Sequence, residues 1–158
     1  MLSLAASSII EIDDRGYVYA GKDIINHNLL DMDIPQYVDD KEVLGIRERG
    51  FSGYTNIRSV NLPSSILEIE AEAFSDCDNL ENINIPNNTS AIGSKAFCGC
   101  ISLKDVIIPF SVERIGDRAF WGCSNLESVL MLGNIKEIEP LTFYWCFNRG
   151  KCCRCKKH

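Results

Sequence analysis

Five phenylalanines recur along this chain at a constant interval of 23 residues. They are Phe51, Phe74, Phe97, Phe120 and Phe143. Neither a helix nor a strand has a period of this length, so the interval belongs to a larger unit that repeats. Units that agree at apolar positions and differ elsewhere are typical of a solenoid, in which each coil buries its core against its neighbours. The phenylalanine column therefore predicts a repeat solenoid with these side chains in its core.

The other apolar positions of the unit predict short strands. When positions are numbered by their distance after the phenylalanine, positions six, nine and eleven are apolar in the four units that begin at Phe51, Phe74, Phe97 and Phe120. Apolar residues at positions nine and eleven alternate as in a strand, and the proline that follows in three of these units ends it, because proline has no N–H for a ladder. With a disguised first repeat, the pattern predicts a parallel sheet of five strands, at 29–34, 57–62, 80–85, 103–108 and 126–131. The isoleucines at position eighteen are predicted to point inward on the opposite wall: Ile69, Ile92, Ile115 and Ile138.

Two flanking segments complete the expected organisation. Residues 7–20 contain two runs of β-branched and aromatic residues around a short acidic turn with a glycine, which predicts a hairpin over the first coil. We assign residues 1–25 to this N-terminal cap and residues 26–148 to the solenoid. Residues 149–158 form a basic, cysteine-rich tail that is expected to be disordered.

One stretch carries a family resemblance. Residues 103–123, LKDVIIPFSVERIGDRAFWGC, resemble the unit of the BspA-like leucine-rich repeat family, LxxIxIPxSVxxIGxxAFxxC, and the likeness recurs four times in register over residues 29–146. It implies a right-handed leucine-rich-repeat solenoid, a β-rich α/β fold with a concave parallel sheet. It also implies a non-enzymatic, adhesin-like role in binding proteins or surfaces, and members of the family are commonly exported.

The cysteines and histidines do not indicate catalysis. Cysteine occupies position three in four units, a core position, so Cys77, Cys100, Cys123 and Cys146 are interpreted as buried, reduced thiols. The only histidines are His27 and His158, and the sequence contains no nucleophile elbow, HExxH, P-loop or GxGxxG motif. We predict no enzymatic activity and no cofactor.

The charge distribution restricts the class of partner. The formal net charge is −6, and residues 149–158 hold five of the 16 basic residues and no acid, so the body is strongly acidic. An acidic body argues against nucleic-acid binding, which needs a positive surface. In the tail, Cys152, Cys155 and His158 are weak candidates for zinc, because a second pair of well-spaced ligands is missing. Adjacent cysteines beside lysines leave acylation as another route, so a membrane is expected as a partner only through this tail.

The outward positions of the predicted strands are the candidate partner-binding residues. They lie at positions eight and ten, and we call them the strand face: Ser59, Asn61, Asn82, Asn84, Asp105, Ile107, Ser128 and Leu130. Most are polar, but Ile107 and Leu130 fall side by side on neighbouring strands and predict a small apolar contact patch for a protein partner.

The C-terminal end of the array lacks a capping repeat. Aromatic residues crowd it, and Arg149 stands where the next inward apolar residue should be. An uncapped solenoid exposes core and strand edges, so we expect self-association at this end, a tail that folds back over it, or a truncated array.

The sequence gives no targeting signal. The run MLSLAASSII has no basic region and leads directly into acidic residues, and nothing approaches the length of a membrane span. Taken literally, the chain stays in the cytoplasm, whereas the family resemblance implies the cell surface.

Overall fold

The computed structural model describes residues 9–22, 24, 29–148, 151–152 and 154–157, with side chains as far as residue 146. The described residues consist of short strands and turns without an α-helix, so the helical component implied by the family resemblance is not found in them. The strands are β1 (Ile10–Ile12), β2 (Tyr17–Ala20), β3 (Asp31–Asp33), β4 (Tyr37–Val38), β5 (Lys41–Glu42), β6 (Gly45–Ile46), β7 (Ser59–Asn61), β8 (Glu68–Ile69), β9 (Asn82–Ile83), β10 (Ala91–Ile92), β11 (Asp105–Ile108), β12 (Arg114–Ile115), β13 (Ser128–Met131), β14 (Glu137–Ile138), β15 (Phe147–Asn148), β16 (Lys151–Cys152) and β17 (Arg154–Lys157). This is the predicted solenoid.

The five predicted strands are all present, but they are divided between two sheets. Strands β3, β7 and β9 form one parallel sheet, and β11, β13 and β17 form another. Strand β9 is only two residues long, because Asn84 contacts the preceding coil through its side chain: its amide accepts from the Leu62 N–H (2.7 Å) and donates to the Leu62 carbonyl (3.2 Å).

The opposite wall, which we call the second wall, is a continuous sheet. The sequence pattern did not predict its strands. It contains seven strands in the order β1-β2-β6-β8-β10-β12-β14 and is parallel except at the β1–β2 hairpin. The position-eighteen isoleucines lie in it, one per coil. The first three of them are buried, as predicted, but Ile138 in the last coil is 40% exposed. The prediction for Ile138 is therefore wrong, since β14 is the last strand of this sheet and, among the described strands, has a neighbour on one side only.

The phenylalanine column is confirmed as the core. Successive rings stack nearly parallel, with centroids 5.1–5.6 Å apart along the whole column. The first four rings are fully buried and Phe143 is partly buried. The main chain repeats this contact, because each phenylalanine N–H from Phe51 to Phe120 donates to the carbonyl of the residue before the next phenylalanine (2.8–2.9 Å).

The corner that presents each phenylalanine is a pair of turns. The residue two before the ring has a positive φ in every coil: Arg49, Glu72, Lys95, Arg118 and Leu141, between 55° and 59°. The residue two after it is also in the left-handed region: Gly53, Asp76, Gly99, Gly122 and Trp145. These two left-handed residues reverse the chain around the ring, so the corner consists of turns.

The N-terminal hairpin is confirmed and continues the second wall. Strands β1 and β2 are antiparallel, and β2 pairs in parallel with β6 of the first coil. The Arg15 guanidinium ties the hairpin turn to a later coil through Glu70 (Nη1–Oε1 2.7 Å). Strands β4 and β5 form a second hairpin, with Asp39 and Asp40 both at positive φ as a two-residue turn requires.

The described part of the tail backbone contains two short strands, β16 and β17. Strands β15 and β16 form an antiparallel pair, and β17 lies parallel to β13, with Ser128 opposite Arg154 and Leu130 opposite Lys156. The physical reason is the open edge of β13, whose unpaired peptide groups accept another strand. The described residues contain no helix that is long and apolar enough to cross a membrane.

Candidate functional site

The structure brings the eight strand-face residues to neighbouring strands. Each lies in or directly after β7, β9, β11 or β13. Five are exposed: Asn61, Asn82, Asn84, Asp105 and Ile107. Ser59, Ser128 and Leu130 are half-buried.

Several polar members of the strand face are already paired across coils. The Ser59 hydroxyl donates to Asp31 (2.6 Å), and the Asn61 amide donates to Asp33 (2.6 Å). Further along the solenoid, the Ser128 hydroxyl donates to Asp105. These hydrogen bonds fix the side chains of one coil on those of its neighbour, so the polar half of the face is a rigid ladder with acidic acceptors.

The apolar half of the strand face is open. Ile107 and Leu130 are partners in the β11–β13 register, and the Ile107 side chain is 56% exposed. Phe110, three residues beyond Ile107, is the most exposed large apolar side chain of the described residues at 73%. We did not predict Phe110. In the sequence, Phe110 could have been noticed because it is the one large apolar residue at its repeat position, where the other coils have Ser64, Asn87 and Gly133.

The cysteine column is buried, as predicted, but it also forms hydrogen bonds. The Cys77, Cys100 and Cys123 thiols donate to the carbonyls of Phe51, Phe74 and Phe97 in the preceding coils, each at 3.1 Å, and Cys146 continues the series to Phe120 at 2.9 Å. Burial raises the pKa of Cys77 to about 12 and that of Cys100 well above its ordinary value. The Cys77 and Cys100 thiols therefore stay protonated, unsuited to nucleophilic chemistry or to metal binding as thiolates.

The tail candidates for zinc are placed only in part. Cys152 lies in β16 and Cys155 in β17, where the backbone alone is described, and His158 lies outside the described residues. Among the side chains that the structure describes, no three of the metal-binding types come together.

Charged residues form ladders between neighbouring coils, which we did not predict from the sequence. At position seven, Glu81 lies between Arg58 (3.6 Å) and Lys104 (3.0 Å) of its two neighbouring coils. The corner position two before the phenylalanine repeats the arrangement, with Glu72 between Arg49 (2.7 Å) and Lys95 (3.9 Å). The sequence contains a signal for these ladders, because the sign of the charge alternates every 23 residues from Arg58 to Glu127 and from Arg49 to Lys95.

A second surface, a groove of about 580 Å³, runs along the phenylalanine corner. We call it the corner groove. Its residues belong to three repeat positions: Ser75, Cys98, Trp121 and Tyr144 at position one, Asp76 and Trp145 at position two, and Glu72, Lys95, Arg118 and Leu141 at position twenty-one. Sequence reasoning missed this groove because it treated each unit's corner as packing alone.

The corner groove is polar at one end and aromatic at the other. Position one changes from small residues, Ser75 and Cys98, to the large rings of Trp121 and Tyr144. The Tyr144 and Trp145 rings pack edge to face with centroids 5.7 Å apart, and both are about half exposed. Burial and the nearby Asp76 carboxylate raise the pKa of the Cys98 thiol, so this cysteine is no activated nucleophile.

The comparisons with known proteins agree with this architecture. The family model of the BspA-type leucine-rich repeat region, in six copies, matches residues 26–149. The crystal structure of a T. pallidum leucine-rich repeat protein (TpLRR) is similar with a TM-score of 0.76 and 28% identity, over 87% of this chain and 64% of that one. The chain thus spans less than two thirds of that protein.

Two further solved structures extend the comparison. A leucine-rich repeat protein from Bacteroides capillosus is 30% identical, with a TM-score of 0.65 over 78% of this chain and 93% of that one. The pneumococcal vaccine antigen PcpA, 19% identical over 98% of this chain and 38% of that one, has a TM-score of 0.66 and shows the shared fold alone. No curated protein matches the chain.

Proposed function

Because this chain belongs to the BspA-type leucine-rich repeat family, we propose that it is a non-enzymatic module that binds a protein partner through its strand face. The observation that carries the proposal is the exposed Ile107, in register with Leu130 and three residues before the exposed Phe110. Exposed apolar side chains grouped on a rigid sheet are typical of the centre of a protein interface.

The polar part of the strand face supports the same proposal. Asp31, Asp33 and Asp105 accept hydrogen bonds from the neighbouring coil, and Asp105 lies in the same strand as Ile107, beside the apolar patch. Carboxylates on this face favour a partner with a basic rim, since complementary charge raises the association rate and excludes other partners. By analogy with the family, we propose an adhesin-like role at a cell surface for this face.

The test is affinity capture with an immobilised wild-type chain beside the Ile107→Asp, Leu130→Asp double variant. We expect the double variant to lose the partner, because each new carboxylate would have to be desolvated in the contact. The matched control is Leu67→Asp with Ile101→Asp, which makes the same change at two exposed apolar residues outside the strand face. Equal recovery from both double variants would refute the strand face as the binding site.

A second candidate function is self-association at the C-terminal end. Among the described strands, β14 has a neighbour on one side only, and its Ile138 is exposed. A strand edge with an apolar side chain is a template for another chain. Sedimentation velocity over a hundredfold range of concentration tests this: association that Ile138→Lys abolishes supports it, and a monomer throughout the range argues against it.

A further inference from the structure

The corner groove holds both tryptophans of the chain, Trp121 and Trp145. The aromatic residues are not needed by the repeat. At position one the earlier coils carry Ser52, Ser75 and Cys98, and these coils keep the same backbone and the same stacked phenylalanine. The rings of Trp121 and Tyr144 are therefore additions to a corner that folds without them.

Trp145 occupies a backbone position that suits glycine. Its φ is 62°, and three of the four equivalent residues are glycines, Gly53, Gly99 and Gly122. A bulky residue in the left-handed region is an outlier, and such outliers cluster at functional sites. Packing does not account for it, because the ring is 55% exposed.

The charges in the groove restrict the ligand that these rings would bind. Lys95 and Arg118 line it together with Glu72 and Asp76, so both signs of charge are within reach of the same ligand. A polyanion would meet the two carboxylates, a cation would meet the lysine and the guanidinium, and a wholly apolar ligand would remove these charged groups from water. A sugar chain satisfies every group, since its hydroxyls donate to carboxylates and accept from cations while its C–H faces stack on aromatic rings.

The spacing of the coils favours an extended sugar chain. Residues at the same position of the last two coils are separated by about one coil, and the centroids of the Phe120 and Phe143 rings beneath them are 5.4 Å apart. This interval is close to the advance of one unit in an extended β-1,4-linked pyranose chain. The backbones are held at this interval, because the Gly99 and Gly122 N–H groups donate to the carbonyls of Trp121 and Tyr144 (2.8 and 2.9 Å).

From these observations we propose that the corner groove binds an extended, neutral β-1,4-linked oligosaccharide. The chain lies along the solenoid axis, with successive rings over Trp121 and Tyr144 and its hydroxyls toward Lys95 and Asp76. This site is separate from the strand face, so it does not depend on the protein partner proposed above.

Tryptophan fluorescence tests the proposal directly, because both reporters lie in the groove. The probes are cellohexaose and chitohexaose, with maltohexaose, whose α-1,4 linkage coils the chain, as the comparison. We expect a saturable change with at least one β-1,4 probe and at least tenfold weaker binding of maltohexaose. No saturable change with either β-1,4 probe at millimolar concentration would overturn the proposal, and so would equal binding of maltohexaose.

Two variants separate the groove from the stability of the fold. Trp145→Gly removes a ring and places glycine at a left-handed position, so it should keep or raise the melting temperature while weakening binding at least tenfold by calorimetry. Trp121→Ala should weaken binding to a similar extent. Phe110→Ala, which removes the more exposed ring near the strand face, is the matched control and should bind as wild type. Unchanged affinity in Trp145→Gly, or an equal loss in Phe110→Ala, would overturn the assignment.

Discussion

The middle coils and the last coil of this solenoid share one repeat but follow it to different degrees. In the middle coils the phenylalanine and the position-eighteen isoleucine are fully or nearly fully buried. In the last coil Phe143 is only partly buried and Ile138 is exposed. The sequence departs at the same place, with Glu139 where Gly93 and Gly116 stand and Trp145 where Gly99 and Gly122 stand.

The difference follows from the one-dimensional packing of a solenoid. A middle coil is covered on both sides, so most of its positions are fixed by contact with neighbours, whereas among the described residues the second wall of the last coil, at β14, is covered on one side only. Positions released from packing can carry other side chains without loss of the fold. The aromatic end of the corner groove lies at this released end, which explains how a corner used for packing elsewhere acquired exposed rings.

The largest expected effect tests this comparison in the phenylalanine column. Phe97→Ala should lower the free energy of unfolding by about 3–5 kcal/mol, because a fully buried ring between two stacked neighbours is lost. Phe143→Ala removes the same ring from a partly buried site with one stacked neighbour and should cost roughly 1–3 kcal/mol. Urea denaturation of both variants measures the difference. Equal losses would show that the last coil is covered as completely as the middle ones.

The sequence predicted the column because packing imposes a strict period on it. Phe51 to Phe143, the cysteine column and four of the five strands were predicted from the 23-residue interval, since each depends on contacts between equivalent residues of neighbouring coils. Residues that depart from the period were harder to place. Ile138 keeps the period, but the prediction that it points inward failed because the period does not indicate which coil lacks a covering neighbour.

An intermediate effect is expected where coils approach most closely. A Cβ added at Gly93 would lie 2.5 Å from the Ala71 nitrogen and 2.6 Å from the Glu70 carbonyl carbon, both in the main chain of the neighbouring coil. Gly93→Ala should therefore cost about 1–3 kcal/mol, as overpacking does, because backbone cannot move aside as a flexible side chain can.

Gly53→Asp is the control for this effect. Gly53 has no atom within 4 Å of an added Cβ, and its equivalent in the next coil is already Asp76, at a φ of 58°. Its substitution should cost less than about 1 kcal/mol, within the usual range for a surface change. A smaller loss in Gly93→Ala than in Gly53→Asp, measured by thermal unfolding, would mean that the coils are farther apart at Gly93 than the structure places them.

The candidate sites were predicted less completely than the core, for a physical reason. The strand face could be located because strand alternation fixes which residues point outward, as Ile107 shows. The corner groove could not, because its shape depends on the difference between Cys98 and Trp121 at one repeat position, and a period search averages such differences away. The charge ladders were missed for the same reason, since their information lies in the alternation of sign from coil to coil.

The smallest expected effect concerns the ladder of Arg49, Glu72 and Lys95 at the corner, which ends before the last coil. The hydrogen bond from Arg49, with a smaller contribution from Lys95, lowers the pKa of the Glu72 carboxyl in the folded chain. A lowered folded pKa stabilises the fold above the unfolded pKa near 4.5, and this contribution is lost as the pH falls through the folded value. The contribution should be below about 1 kcal/mol, because the Arg49 side chain is largely exposed.

Denaturation midpoints between pH 7 and pH 3 measure this contribution in wild type and in Glu72→Gln. The variant should lose stability at pH 7, where the wild-type carboxylate is paired, and this difference from wild type should shrink as the pH falls below the unfolded pKa near 4.5. Leu141→Ala is the matched control, because Leu141 holds the same repeat position in the last coil and carries no charge. Its effect should be the same at both pH values. If the denaturation midpoints of Glu72→Gln and wild type differ as much at pH 3 as at pH 7, Glu72 contributes to stability through packing and not through its charge.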